Sequence, residues 1–230
     1  MNLNSETVAL LGNLNALAGG LFLLCTFGMV ATRQVQGCLR LFIAQALFLV
    51  LSAFLLSGLL HSRHVFAVGI INLISKPFLV PWLLRRTVRS EVYSRREIDQ
   101  LINIPASLLI ALALAIGGFF LASPLLRVAD GPYVAVNLPI GLACLLLGGY
   151  TASVRREAVP LLLGLLAMEN AAFFAGVAIV PELPLIAELA IAFDVLMLSF
   201  IVGLLTRTIH EHIGTTEVGA LTALKEETKP

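Results

Sequence analysis

The chain has 230 residues, of which 59% are hydrophobic and 13% charged, and its mean hydropathy is +0.97. Soluble domains contain about 45–50% apolar and about 25% charged residues, so this composition excludes an ordinary soluble domain and indicates an integral membrane protein. The formal net charge of +1 excludes electrostatic attraction as a basis for binding nucleic acid or an acidic soluble substrate.

Seven stretches are apolar over the roughly 20 residues that a helix needs to cross a bilayer. These predicted spans lie at about 8–30, 38–60, 65–84, 104–122, 134–153, 158–180 and 184–206, and a polar tail ending in KEETKP follows them. No Lys or Arg precedes the first span, whereas a cleavable signal peptide carries one, so we expect the first span to be retained. The predicted fold class is all-α, a polytopic membrane protein of seven transmembrane helices.

The basic residues of the connecting loops are distributed unevenly between the two sides of the predicted bundle. One side carries Arg33, Arg40, Arg85, Arg86, Arg89, Arg95, Arg96, Arg155, Arg156 and Arg207, and the loops of the other side carry only Arg63 and Arg127. Because Lys and Arg are enriched in cytoplasmic loops, we expect the N-terminus outside and the C-terminus in the cytoplasm. The charged loop at 85–100 is then cytoplasmic, where it either contacts a partner or is a solvated connection.

Proline interrupts the third span beside a lysine, in the stretch ISKPFLVP. Pro77 and Pro81 each remove a backbone donor and clash with the carbonyl four residues earlier, so we expect the helix to kink next to Lys76. Either a hydrated pocket or a packed kink satisfies the freed backbone groups.

Three ionisable side chains lie near the middle of predicted spans: Lys76 in the third, Glu169 in the sixth and Asp194 in the seventh. Such a group costs roughly 2.5 kcal/mol or more at the bilayer centre, so it normally faces protein or water and marks a functional pathway. We therefore predict a proton or ion relay of these three residues. The alternatives are an inert Lys–acid pair that fixes helix register and polar contacts that only join helices.

Four further polar residues are candidate accessories of this relay. Glu188 lies about 9 Å nearer the outer surface than the acid of the seventh span, on a different face. Asn72 and Asn170 lie within roughly one turn of the third-span lysine and the sixth-span acid, close enough to hydrogen-bond to the charged or neutral forms of those groups. Gln45 is the fourth, and its place follows from a repeat.

The first and fifth spans are faintly similar, NLNALAGGLFLL against NLPIGLACLLLGG, and each precedes an arginine-bearing turn. This register puts Gln45 opposite Glu169 and Lys76 opposite Asp194, and it predicts two parallel three-helix repeats joined by a linking helix, a device common in transporters. The predicted units are 1–86, a three-helix unit; 87–133, a cytoplasmic loop with the linking helix; 134–207, a second three-helix unit; and 208–230, a cytoplasmic tail.

No pattern of a metal, cofactor or catalytic site is present, so we expect none of the three. The HEH stretch at 210–212 offers two imidazoles in the tail, and Cys25, Cys38 and Cys144 are widely spaced without a CxxC pair.

Four stretches in order, SKPFLVPWLL, AMENAAFF, IAFDVLMLSFIVGLL and VGALTALK, resemble the component E membrane subunit of hydrogenase-4-type formate hydrogenlyase complexes, and the similarity extends over essentially the whole chain. The last three spans also resemble the K subunit of respiratory complex I and its counterpart, the C component, in Mrp antiporters. In the K subunit two helices each carry an essential membrane glutamate, and Glu169 and Asp194 stand at these positions here. The aspartate departs from that pattern and shortens the side chain by one methylene.

This resemblance implies a non-catalytic subunit of a hydrogenase complex in the bacterial inner membrane, which couples electron transfer to the movement of protons or sodium ions. Its implied partners are other membrane subunits of the complex and the lipid bilayer. Two alternatives stay open on the residues alone. One is an autonomous secondary transporter of a small ion, and the other is a structural membrane anchor whose acids are inert.

Overall fold

The computed structural model describes residues 5–87, 102–127 and 133–179, together with Gly203. Within these residues the regular elements are all helices, joined by short non-helical connections, and there are no strands. The helices are α1 (Ser5–Ala31), α2 (Val35–Leu60), α3 (Arg63–Ile74), a π-helical turn (Ser75–Leu79), α4 (Val80–Thr87), α5 (Ile104–Leu125), α6 (Val134–Val154) and α7 (Ala158–Ile179).

Among the described residues, six helical segments are long and apolar enough to cross a membrane, with Arg63–Trp82 forming one continuous span through α3, the π turn and the start of α4. They match the first six predicted spans and confirm an all-helical fold whose helices are long and apolar enough to cross a membrane. The predicted seventh span at 184–206, with Asp194 and Glu188, lies outside the described residues, as does most of the loop at 85–100.

Large apolar side chains remain exposed on the outer faces of the bundle. Leu24, Leu109 and Phe120 are 64%, 70% and 74% exposed. Contiguous apolar surface of this kind is rare on soluble monomers, and a helix that is apolar on every face is typical of a membrane span. The sequence therefore forms helices whose outer faces are compatible with hydrocarbon and whose inner faces are distinguished mainly by packing.

The core consists of two antiparallel hairpins, α1–α2 and α6–α7, that lie side by side. Helix α1 lies along α6, α2 lies along α7, and α5 packs on the α6 side. Small residues allow the closest approach within the second hairpin. A Cβ added at Gly148 would come within 2.7 Å of the Met168 nitrogen, and one at Gly164 within 2.6 Å of the Ala152 nitrogen. Such backbone proximity is how helices associate in lipid, where apolar burial gives little driving force.

Helices α1 and α6 run in the same direction, because Asn15 bonds to Asn137 near one end and Arg155 bonds to Met29 near the other. The predicted repeat pairs α1 with α6 and α2 with α7, and these corresponding helices are adjacent in the fold. The third helix of the second unit lies outside the described residues, so the duplication stays a prediction.

A π-helical turn occupies the position where prolines predicted a kink. The backbone N–H of Val80 donates to the carbonyl of Ser75, five residues earlier. Widening the turn by one residue accommodates the proline ring at Pro77, which would otherwise meet the carbonyl four residues before it. Lys76 belongs to this turn, so the irregular backbone and the membrane lysine coincide.

Candidate functional site: a buried ion pair

Lys76 and Glu169 form an ion pair between the π turn and α7. The Lys76 Nζ lies 3.0 Å from Glu169 Oε1, and the Lys76 side chain is 2% exposed. Glu169 lies midway along α7, roughly 16 Å from either end at 1.5 Å of rise per residue. Two of the three residues predicted as a relay are therefore in direct contact at membrane depth.

An aromatic ring completes the surroundings of the ammonium group. Lys76 Nζ lies 5.6 Å from the centroid of the Phe173 ring, one helical turn beyond Glu169 on α7. A cation this close to a ring face gains about 0.5–2 kcal/mol, more when it is desolvated. Carboxylate and ring thus approach the lysine from the same helix, which favours the charged amine at this position.

The carboxylate of the pair is more accessible than the amine. The Glu169 side chain is 23% exposed, against 2% for Lys76. A charge that is partly open at this depth requires water or further protein on its open side, because bare hydrocarbon solvates it poorly. The pair is therefore closed on the lysine side and accessible on the glutamate side.

The side-chain amides of the two asparagines beside the pair donate to groups other than the charged residues. Asn72 donates to the carbonyl of Val68, 3.1 Å away, and Asn170 donates to Gln45 Oε1, 3.2 Å away. Consecutive residues of an α-helix point about 100° apart, so Asn170 faces α2 while its neighbour Glu169 faces the π turn. Adjacency in sequence therefore did not place Asn170 and Glu169 on one helix face. Asn72 lies one turn before Lys76 on the same face, but its amide donates to the backbone of its own helix.

Gln45, singled out only by its place in the predicted repeat, links three helices. Its Oε1 accepts from Asn170, and its Nε2 donates to Thr26 Oγ1 at 2.9 Å. Thr26 in turn donates to the carbonyl of Phe22 at 2.9 Å. Gln45 is 0% exposed, so this chain joins α1, α2 and α7 inside the bundle.

Sequence analysis missed a second polar cluster, the triad of Asn15, Ser52 and Asn137. Asn15 Nδ2 donates to Asn137 Oδ1 at 2.8 Å, and Ser52 Oγ donates to Asn15 Oδ1 at 2.6 Å. Asn137 Nδ2 closes the ring by donating to Ser52 Oγ at 3.3 Å. The sequence did contain one signal, an asparagine inside each of two apolar helices. Such a residue is expected to be buried, but the sequence does not show which side chain it bonds to.

Arg155 also has a role that its use as an orientation marker did not predict. It is 3% exposed, and its Nη2 donates to the carbonyls of Met29, Val30 and Thr32 at 2.6, 3.2 and 3.0 Å. These carbonyls end α1, where the last turn has acceptors without helical donors and the helix dipole favours a cation. Burial lowers the pKa of the Arg155 guanidinium, although such a group stays charged in proteins. Arg155 thus fastens the end of α1 to the α6–α7 connection.

Metal-binding chemistry finds no support in the part of the chain that the structure describes. No group of three or more His, Cys, Asp or Glu side chains is clustered there, and Cys25, Cys38 and Cys144 are free and buried. The HEH stretch at 210–212 lies beyond it, so the absence of a metal or cofactor stays a prediction.

The spans and the buried ion pair define a polytopic helical membrane protein with opposite charges inside its membrane-spanning region. The chain is 30% identical over 210 residues to the protein named "Uncharacterized protein Rv0085" of Mycobacterium tuberculosis (strain ATCC 25618 / H37Rv), and the similarity covers 91% of this chain and 94% of that relative. This chain therefore belongs to the same family as that mycobacterial protein. No family model and no solved structure matches the chain.

Proposed function

We propose that the protein is a membrane subunit of a complex-I-like, membrane-bound hydrogenase of the hydrogenase-4 or formate hydrogenlyase type, and that it contributes to proton or sodium translocation through a relay that includes Lys76 and Glu169. The contact of 3.0 Å between Lys76 Nζ and Glu169 Oε1 inside two membrane spans is the observation that carries this proposal. The resemblance to component E supplies the kind of complex, and the pair supplies the chemistry.

The chemistry follows from the cost of burying charge. Desolvation disfavours both the ammonium and the carboxylate, while their mutual attraction offsets part of that cost. A proton that moves from Lys76 to Glu169 produces an amine and an acid that need no such compensation. The ionic and neutral forms of the pair are therefore closer in free energy than they are in water. The proton moves between the two groups at a modest cost.

Because Glu169 is more exposed than Lys76, protons enter the relay at the glutamate. A proton reaches Glu169 from its open side and neutralises the carboxylate, which weakens the hold on Lys76. The second acid of the relay is Asp194, assigned by the resemblance to the K subunit of complex I. We place the protein in the bacterial inner membrane with its N-terminus outside, and it works with neighbouring membrane subunits of the complex.

The test is acidification of inverted membrane vesicles during turnover, measured beside redox activity with an artificial acceptor in the same preparation. Glu169→Gln keeps the size of the side chain but cannot ionise, so we expect redox activity to persist and most acidification to be lost. Glu169→Asp should retain a good part of it. Glu6→Gln makes the same chemical change at an exposed acid of α1 and serves as the matched control.

Vesicles that carry Glu169→Gln and still acidify at the normal rate per assembled complex would contradict the proposal. A sodium-dependent signal that survives a protonophore would identify sodium rather than protons as the ion. Movement of ions by the purified chain alone in liposomes would favour an autonomous transporter, because a subunit is expected to move none without its partners.

The same contact favours one other function, a structural anchor, because a nearly fully buried lysine against a carboxylate is also how a static ion pair joins helices. Lys76→Met and Lys76→Arg distinguish the two. A static pair loses assembly in Lys76→Met, which leaves the acid without its partner, and keeps full function in Lys76→Arg. A relay keeps assembly in Lys76→Met and loses ion movement, and arginine does not restore it because guanidinium does not release its proton.

A further inference from the structure

The π-helical turn solves a geometric problem in the span that carries Lys76. Up to Lys76, the buried positions recur at the three- and four-residue spacing of one α-helical face: Val65, Val68, Gly69, Asn72, Ser75 and Lys76. After the turn, the buried positions include Val80, Pro81 and Leu84. In an uninterrupted α-helix, at roughly 100° per residue, the buried stripe would therefore drift by roughly 120° between the two sets and leave the core.

One π turn corrects most of this drift. It holds one residue more than an α turn, which amounts to roughly 100° of rotation. Upstream of the turn, Val65 and Val68 lie in one core cluster, and downstream Val80 and Leu84 lie in another. Both halves of the span face the core at once only because the π turn lies between them.

The two prolines remove the hydrogen bonds that would favour a regular α-helix here. Pro77 has no N–H to donate to the carbonyl of Leu73, and Pro81 has none for the carbonyl of Pro77. The observed bond from Val80 N–H to the Ser75 carbonyl spans five residues instead of four. An α-helical register would therefore form few additional backbone hydrogen bonds at this point, and the π-helical register is the stable one.

We infer that the π turn is the device that aims Lys76 at Glu169, and that Pro77 and Pro81 are positioning residues that hold this register. Helix α4 packs through Val80 and Leu84 into a cluster with α2 and α7, whereas α3 packs mainly against α2. On reversion to an α-helix, α3 rotates with Lys76 by roughly 100° relative to α4, and the amine leaves the carboxylate. The consequence for ion movement rests on the proposed function, while the geometry does not.

A double-mutant cycle tests whether the π-helical register holds Lys76 against Glu169. It measures the interaction between these two side chains, called the coupling below, on the full chain purified with any subunits that accompany it. In the native background, Lys76→Met, Glu169→Gln and the double variant should shift the melting temperature non-additively, because the groups are in contact. A background with Pro77→Ala and Pro81→Ala restores both backbone N–H donors. In it, we expect the melting-temperature shifts of Lys76→Met and Glu169→Gln to become additive. Pro124→Ala, at an exposed proline inside α5, is the control and should leave the coupling intact.

A deletion makes the test specific for register rather than for proline. Phe78 is 64% exposed and lies in the π turn, so its removal from the double-alanine background turns the five-residue turn into a regular one and keeps both buried stripes aligned. We expect this deletion to restore folding and coupling. Deletion of Ile70, which is 40% exposed in regular α-helix, removes a residue of the same kind and should restore neither.

Three outcomes would overturn the inference: unchanged coupling in the double-alanine background, failure of the Phe78 deletion to restore it, or equal tolerance of the two deletions. If the double-alanine background does not fold, rescue by the Phe78 deletion still supports the inference, and absence of rescue contradicts it. Vesicle acidification is measured separately. If the double-alanine background loses the Lys76–Glu169 coupling but acidifies vesicles normally, the relay is refuted and the positioning role of the two prolines stands.

Discussion

The Asn15–Ser52–Asn137 triad and the Lys76–Glu169 pair place polar side chains inside the same apolar bundle in two different ways. In the triad every member is neutral, at most 2% exposed, and bonded to both others in a closed ring. The pair is formed by ionisable groups 3.0 Å apart, and it leaves Glu169 23% exposed. The closed cluster and the open pair therefore differ in charge and in access.

Charge and access together indicate which buried polar groups are candidates for function. Interhelical hydrogen bonds between neutral groups contribute about 0.6–2 kcal/mol and hold helices together without a further role. A charge at membrane depth costs roughly 2.5 kcal/mol or more, so contact between helices alone is a poor reason to place one there. On this ground the triad is explained by helix packing, whereas the pair is the basis of the ion movement that we propose.

The largest expected effect contrasts the two clusters in function. Lys76→Met removes the amine that carries a proton in the proposed relay. Because a positioned acid or base typically contributes about 10²–10⁴-fold in rate, we expect vesicle acidification per assembled complex to fall about 100-fold. Asn15→Ala removes a neutral packing group and should leave acidification per complex unchanged. Equal losses in the two variants would abolish the functional distinction between the clusters.

The next effect concerns stability and tests whether the triad is a closed unit. Asn137→Leu leaves Asn15 and Ser52 without one partner each, and because a buried unsatisfied group costs about 1–3 kcal/mol, we expect the free energy of unfolding to fall by about that amount. The triple variant Asn15→Leu, Ser52→Ala and Asn137→Leu should lose less unfolding free energy than this single change, because no polar group of the triad is then left unpaired. The measurement is denaturant unfolding in detergent micelles. A triple variant that loses the sum of three single changes would contradict the closed-ring description.

The smallest effect separates the pair from the hydrogen-bonded chain next to it. Gln45→Met keeps the length of the side chain and removes its bonds to Asn170 and Thr26, so we expect a loss of about 1 kcal/mol in unfolding free energy. Acidification should change less than about twofold, because the ion pair faces a different side of α7 and the relay does not pass through an amide that cannot ionise. A large loss of acidification in Gln45→Met would instead include the hydrogen bonds from Asn170 through Gln45 to Thr26 in the relay.

Composition and local pattern were sufficient for the class of protein and for much of the fold. Apolar length predicted the six spans found here, since the thickness of the bilayer sets the length of each helix independently of its neighbours. The same reasoning placed Lys76 and Glu169 near mid-membrane, and ISKPFLVP indicated irregular backbone beside the lysine. The predicted seventh span, with Asp194 and Glu188, lies outside the residues that the structure describes.

The contacts between polar side chains depend on the packing of the helices and could not be predicted from the sequence. The tertiary structure paired Lys76 with Glu169, turned Asn170 toward Gln45, joined Asn15 to Asn137 across 122 positions, and set Arg155 on the end of α1. In a soluble helix a polar face shows which side is buried, but helices surrounded by lipid are apolar on every side. Their packing faces are chosen by small residues, hydrogen bonds and backbone register, which act only between helices already brought together.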